Sequence, residues 1–326
     1  MKTNNFLLMG LLATFSLASC SNDETEAGTP ASAAIEVSAG LADAATKAVI
    51  NSGYDKKLDV MFGYLEGTGS NFTKWYNGTR MAGEGNQLVT FGDETLTYAS
   101  YSSTQTKMIG IYPRPAVSGS VSSPIDYIID GDMDLMATEC QTADKDNPFK
   151  PFIFNHKLAQ LQVKCVGSAE AIKSWGDIKS IKVNDQPVNL KLNVLPANTE
   201  ATLEINGTAS KQSLSFFNCP SKIVTAKEEN PVIGYCMIYP EENLGTVSSP
   251  ITLDVLTAYD GTNPDSPRQL NAAKKITINN IREGVKEGYA HLITLIFSAQ
   301  GEIVIEADIA PWNPGSSTST VVKPGN

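Results

Sequence analysis

Phe152-Ile153-Phe154-Asn155-His156-Lys157-Leu158-Ala159-Gln160-Leu161-Gln162-Val163-Lys164-Cys165-Val166 is the stretch on which the reading of the fold turns. It is β-type throughout, yet far longer than the usual strand of about 5–6 residues. Its apolar parity changes partway. Phe152, Phe154 and Leu158 fall on one face of an extended chain, whereas Leu161, Val163 and Cys165 fall on the other. A shift of one residue sends every side chain to the opposite face. The run therefore predicts a bulge or bend near Ala159, where the strand changes partners.

On either side of this stretch the pattern stays β. Ile35, Val37, Ala39 and Leu41 alternate with more polar residues or Gly40, the period of a half-buried strand. Strand-like runs follow at Leu58–Tyr64, Gln87–Phe91, Lys107–Tyr112 and Tyr127–Ile129, the last leading into an Asp130-Gly131-Asp132 turn signal. A polar break at Gln141–Pro148 is the expected domain boundary. Beyond it, strands are expected at Ile178–Val183, Ala201–Ile205, Leu214–Phe217, Val232–Tyr239, Ile251–Tyr259 and Lys275–Ile278. Two short helices are expected, Ser168–Trp175 and Asn280–Glu287, the second from Ile281 and Val285 four apart and the Gly288 stop. The clearest hairpin comes late. His291, Ile293, Leu295 and Phe297 share one face, Gln300-Gly301 turns, and Ile303, Ile305, Ala307 and Ile309 alternate with acidic residues. The expected fold class is all-β, with regular short strands arranged as sandwiches.

The chain has 326 residues, enough for two ordinary domains, and 41% hydrophobic content, enough for real cores. Its formal net charge of -10 argues against a nucleic-acid partner, which needs basic patches to neutralise phosphates. Of five cysteines, Cys140, Cys165, Cys219 and Cys236 have long, irregular spacings without a C-x-x-C, so no zinc site is expected. They allow three disulfide pairings, or pack as free buried thiols. Only two histidines occur, His156 and His291, both inside strand-like runs. No nucleophile motif, phosphate loop or metal-ligand cluster is present, and neither an enzyme nor a cofactor is expected.

The amino terminus predicts export. Lys2 precedes an apolar stretch from Phe6 to Phe15, short of the ~20 residues that span a bilayer. It ends in Leu17-Ala18-Ser19-Cys20, small residues before a cysteine that a lipoprotein signal peptidase would cut, leaving Cys20 as the site of acylation by chains such as palmitate. Two acyl signals make a stable membrane anchor. The acidic run Ser21-Asn22-Asp23-Glu24-Thr25-Glu26 then opens a small, polar tether. The expected organisation is a signal peptide at 1–19, a lipidated tether at 20–32, an N-terminal β-sandwich at 33–146, a C-terminal β-sandwich at 147–312, and a tail or donor strand at 313–326.

Four features together resemble the fimbrillin-like proteins, the lipoprotein pilins of type V pili. They are the Leu17–Cys20 lipobox with its acidic successor, Thr46-Lys47-Ala48 after the first strand, Asp134-Leu135-Met136-Ala137 followed by Pro151–Leu161, and a closing hairpin that ends in Ile309-Ala310-Pro311-Trp312. The resemblance covers nearly the whole chain. It implies two sandwich domains of transthyretin-like Greek-key topology, and export as an outer-membrane lipoprotein precursor to the cell surface. It also implies that a surface protease cuts after a basic residue, here between Lys47 and Ala48, removing the lipid together with the strand carrying Ile35, Val37, Ala39 and Leu41. A strand from the carboxyl terminus of another pilin subunit would fill the groove. Here that donor would hold Thr320, Val321 and Val322. The best-known members carry arginine where this chain has Lys47, which implies a protease that accepts lysine. The mature protein would then sit in a fimbrium and act by polymerisation and adhesion, with a host glycan or protein as a ligand.

Two alternatives accompany this reading. One is a surface glycan-binding lipoprotein that stacks sugars on Trp75-Tyr76 or Trp175. The other is an uncut anchor or accessory subunit. Asp130, Asp132 and Asp134 are close in sequence, but D-G-D-M-D lacks the later ligands of a calcium loop, and these acids read as turn residues.

Overall fold

A computed structural model describes residues 33–42, 56–99, 101, 103–115, 121–207, 210–258 and 274–310. All of them belong to one compact unit, Ser32–Asn326. Its strands are β1 (Val37–Leu41), β2 (Leu58–Glu66), β3 (Lys74–Arg80), β4 (Gln87–Thr90), β5 (Thr106–Tyr112), β6 (Ile125–Ile128), β7 (Met136–Ala137), β8 (Gln141–Ala143), β9 (Phe152–His156) and β10 (Ala159–Gly167). The helix α1 (Ala169–Trp175) comes next. It is followed by β11 (Asp177–Pro187), β12 (Asn189–Asn193), β13 (Thr202–Ile205), β14 (Lys211–Ser215), β15 (Gly234–Ile238), β16 (Ile251–Ala258), β17 (Lys274–Ile278), β18 (Ala290–Phe297) and β19 (Ile303–Ala310). The all-β expectation holds.

The first sheet runs β2-β3-β4-β1-β9-β7-β5-β8, and β2 also pairs with β5. These pairings close on themselves, so the strands from β2 round to β5 form a ring without a free edge. Its interior is aromatic. Phe62 meets Phe91, Phe152 and Phe154 edge-on, with ring centroids 5.7, 5.2 and 6.1 Å apart. Gly110 makes room for them, since a Cβ there would lie 2.8 Å from the Phe62 ring and 2.9 Å from that of Phe154.

Two four-stranded sheets, β15-β10-β18-β19 and β14-β11-β16-β17, make up the later part of the chain, with a three-stranded sheet β13-β12-β6. β6 comes from the earlier half of the sequence yet pairs with β12, from Asn189↔Ile128 to Leu192↔Ile125. One contiguous cluster of buried side chains runs through all of these sheets.

The parity change in the long apolar run marks a change of sheet. β9 belongs to the ring, with Phe152, Phe154 and His156 buried, and β10 belongs to the sheet with β15 and β18. Lys157-Leu158 forms the crossing. Lys157 N donates to Leu135 O at 2.7 Å, Leu158 O accepts from Gly288 N at 2.9 Å, and the Lys157 ammonium lies 2.7 Å from Glu287. A change of sheet therefore falls here, whereas β8, which opens the polar stretch Gln141–Pro148, and β9 after it belong to one sheet. β10 is covered on both faces, so its glutamines are buried as well. Gln162 Nε2 donates to Gln160 Oε1 at 2.7 Å.

The first expected helix is present. Ser168 caps it, its hydroxyl accepting from Ala171 N at 3.2 Å, and Gly176 ends it at φ 70°. The second, Asn280–Glu287, is not a helix. Glu283 and Gly284 both have positive φ, at 61° and 74°, which breaks any helical turn. The segment instead makes turns that pair with another loop, Ile281 N to Gly245 O at 3.0 Å and Val285 N to Leu244 O at 2.9 Å. Ile281 and Val285 are buried all the same.

Candidate functional site: the groove of the first strand

The first strand lies inside the ring, between β4 and β9. It is antiparallel to β4, with Val37↔Val89 and Ala39↔Gln87, and parallel to β9, with Ala39↔Phe152 and Leu41↔Phe154. The pairing extends past both ends of β1. Ile35 N donates to Leu96 O at 2.8 Å, Tyr98 N to Ala33 O at 2.8 Å, and Ala42 N to Phe154 O at 2.9 Å. Ile35, Val37, Ala39 and Leu41 are all buried, as the alternation predicts. Burial of each of the three larger side chains contributes about 1.5–3 kcal/mol. Among the described residues none of the partners of this strand is its neighbour in sequence, and those it has, β4 and β9, come later in the chain.

Removal of this strand would open the ring between β4 and β9. It would expose two rows of backbone donors and acceptors together with the apolar floor beneath them, and both are costly to leave unpaired. An extended segment of like pattern is what such a groove accepts. The other residues expected to act in this chemistry, Cys20, Lys47, Ala48, Thr320, Val321 and Val322, lie outside the described residues, as do Pro311 and Trp312.

One groove residue carries no signal in the sequence. Arg80, the last residue of β3, is fully buried. Its Nε donates to the Ala39 carbonyl at 3.0 Å, and its terminal nitrogens donate to Met81, Gly83 and Gly85 carbonyls at 3.3, 3.0 and 2.7 Å.

The aromatic platform expected for a glycan ligand is not formed by the residues named for it. Trp175 is fully buried, donates from Nε1 to Ser298 O at 2.7 Å and packs edge-on against Phe297. Trp75 and Tyr76 are half-buried against the core, packed edge-on against Phe72 in one case and against Tyr64 and Phe91 in the other. The aspartates serve separate structural ends. Asp130 Oδ1 accepts from Asp132 N and Met133 N to close a turn, the Tyr235 hydroxyl donates to Asp132, and Asp134 forms a buried 2.7 Å pair with His156. Among the described residues no three His, Cys, Asp or Glu side chains converge to hold a metal ion. Cys140, Cys165, Cys219 and Cys236 are all unpaired thiols, and burial raises the pKa of each. His291 is buried in β18, where desolvation, and secondarily the Lys286 charge, pushes its pKa down to about 4.

The fold has known counterparts. A candidate cell adhesion protein from Bacteroides uniformis superposes with a TM-score of 0.60 at 14% identity, over 86% of this chain and 98% of that one. One from Bacteroides ovatus gives 0.54 at 13% identity, over 87% and 99%. At these identities the likeness is one of fold. No curated protein sequence matches the chain. The family model described as fimbrillin-like matches residues 44–312, most of the sequence. The chain belongs to the fimbrillin-like family.

Proposed function

We propose that this protein is a structural or adhesive pilin subunit, exported as a lipoprotein through Cys20 and assembled by exchange of its first strand. The observation that carries the reading is the place of β1 in a closed ring, paired on both edges with strands distant in sequence, β4 and β9. Cleavage between Lys47 and Ala48 by a surface protease would release the lipid, the tether and β1 together. The emptied groove would then take a strand from another subunit, and residues 313–326, with Thr320, Val321 and Val322, would offer one in turn. The precursor would be held at the outer membrane, and the mature form would lie in the fimbrium, where it would meet a host glycan or protein. The chain would act by polymerisation and binding, without catalysis.

The test is the mass and amino-terminal sequence of the protein taken from native cell surfaces. A chain that starts at Ala48 and has lost its lipid supports the proposal. A chain that starts at acylated Cys20, with Ile35–Leu41 intact, contradicts it and makes the protein an uncut anchor or accessory lipoprotein.

A further inference from the structure

The ladder between β1 and β4 ends at Ala39↔Gln87, because the chain then turns through residues 81–86 to reach β3. Ala42 N donates toward β9, so successive residues back along the strand alternate, and Ala39 faces the β4 side. The carbonyl at the end of that ladder meets a buried cation. Arg80, 0% exposed, reaches it with Nε at 3.0 Å and holds the turn beside it through the Gly83 and Gly85 carbonyls. Its guanidinium is thus shared between the strand in the groove and the 81–86 turn. Hydrogen bonds from a charged donor are the strong ones, and the planar fork of arginine fixes their directions.

Building on the strand-exchange reading, we infer that Arg80 is the positioning residue of the groove, donating to the backbone carbonyl at the Ala39 position of whichever strand occupies it. A contact to backbone ignores the donor's side chain but not its register. A shift of one residue turns that carbonyl toward β9 and sends the apolar row to the wrong face. A shift of two brings a residue the size of Val37 or Leu41 to the place where Ala39 is fully buried. The partner that fits is an extended segment of another chain with large apolar residues at three alternate positions and a small one at the place of Ala39.

The test uses the full soluble chain with a rare-cutting protease sequence in place of residues 45–49. After cleavage, labelled peptides spanning 33–42 compete with the resident strand. One peptide is all-amide, a second has an ester for the 39–40 peptide bond, which weakens the Ala39 carbonyl as an acceptor and removes the Gly40 N–H on the β9 side, a loss common to both proteins, and a third has its ester at 37–38. In the unsubstituted protein the 39–40 ester binds about tenfold more weakly than the amide. In Arg80→Gln the proposal expects that penalty to shrink to about twofold, while the 37–38 ester costs the same in both proteins. An equal 39–40 penalty in both proteins overturns the inference and leaves Arg80 as a support of the 81–86 turn. Failure of every peptide to enter the cut, unsubstituted protein overturns strand exchange itself, and the donor role of Arg80 with it. Should Arg80→Gln not fold, Arg80→Lys is read in the same way, with a penalty between the two values expected and an unchanged one overturning the inference.

Discussion

The first strand and the closing hairpin look alike in sequence and are held in opposite ways. Ile35, Val37, Ala39 and Leu41 alternate as Ile303, Ile305, Ala307 and Ile309 do. In the hairpin, β19 pairs with its neighbour β18 without a break, from Ala290↔Ala310 to Phe297↔Ile303, across a turn closed by Ser298 N to Glu302 O at 2.9 Å. Among the described residues it is an edge strand. Ile303, Ile305 and Ala307 are half-buried, Val304 is 55% exposed, and Glu306 and Asp308 put charge on the open side. β1 has partners on both edges and buries all four apolar residues, but no turn links it to either partner. The difference is one between local and distant support. A strand made by its own hairpin cannot be traded without breaking that hairpin. A strand held only from a distance can be strongly bound and still be replaced by another of the same pattern.

Substitutions can break or sharpen this contrast. Val37→Asp should have the largest effect, about 4 kcal/mol or more of lost stability in urea unfolding, because it puts an unpaired carboxylate on the floor of the ring. A loss below about 1 kcal/mol would mean that β1 is not part of the folded core. Acid should act next, through the closing hairpin. His291 Nε2 is buried without a hydrogen-bond partner, and its pKa in the fold is about 4 against an ordinary value of 6.5. The unfolded chain takes up that proton first, so the stability His291 contributes is whole above pH 6.5 and is lost as pH falls toward 4. At about 1.4 kcal/mol for each pKa unit, the loss reaches up to about 3 kcal/mol. His291→Leu should flatten this limb of a stability-versus-pH curve, and an unchanged limb would show that other groups set it. Ile305→Ala, on half-buried β19, should cost about 1 kcal/mol in the same assay. Val304→Thr, on the outer face, should change stability by no more than about 0.5 kcal/mol.

How much of this was legible in the sequence follows the same division. The bend near Ala159, the α1 helix with its Ser168 cap and the β18–β19 hairpin all rest on patterns within a few residues of one another, and the structure has them. The alternation from Ile35 to Leu41 identified a strand and its buried face, but not the ring it closes, since those partners lie far along the chain. Ile281 and Val285 misled because a four-residue spacing suits a helix and also suits two turns that each bury one side chain. β3 carries Trp75-Tyr76, a pair that reads as a surface platform, and β12 is bounded by asparagines, a residue type favoured in turns. Arg80 had no signal at all. A lone arginine ordinarily reads as a solvated residue, and only the fold brings the Ala39, Gly83 and Gly85 carbonyls around it.

The central claim is that β1 must leave its groove for the subunit to assemble. Ser38 and Leu88 are directly paired between β1 and β4, on the outer face, with Leu88 51% exposed. Ala39 faces β4, so the 38–88 pair is the non-hydrogen-bonded kind, with Cα atoms about 4.5 Å apart, close enough for a disulfide. The decisive measurement is fibre assembly by cells carrying Ser38→Cys with Leu88→Cys. The account predicts that the oxidised double variant keeps residues 33–42 and forms no fibres, that reduction restores assembly, and that each single variant assembles normally. Normal assembly with the disulfide intact would contradict it.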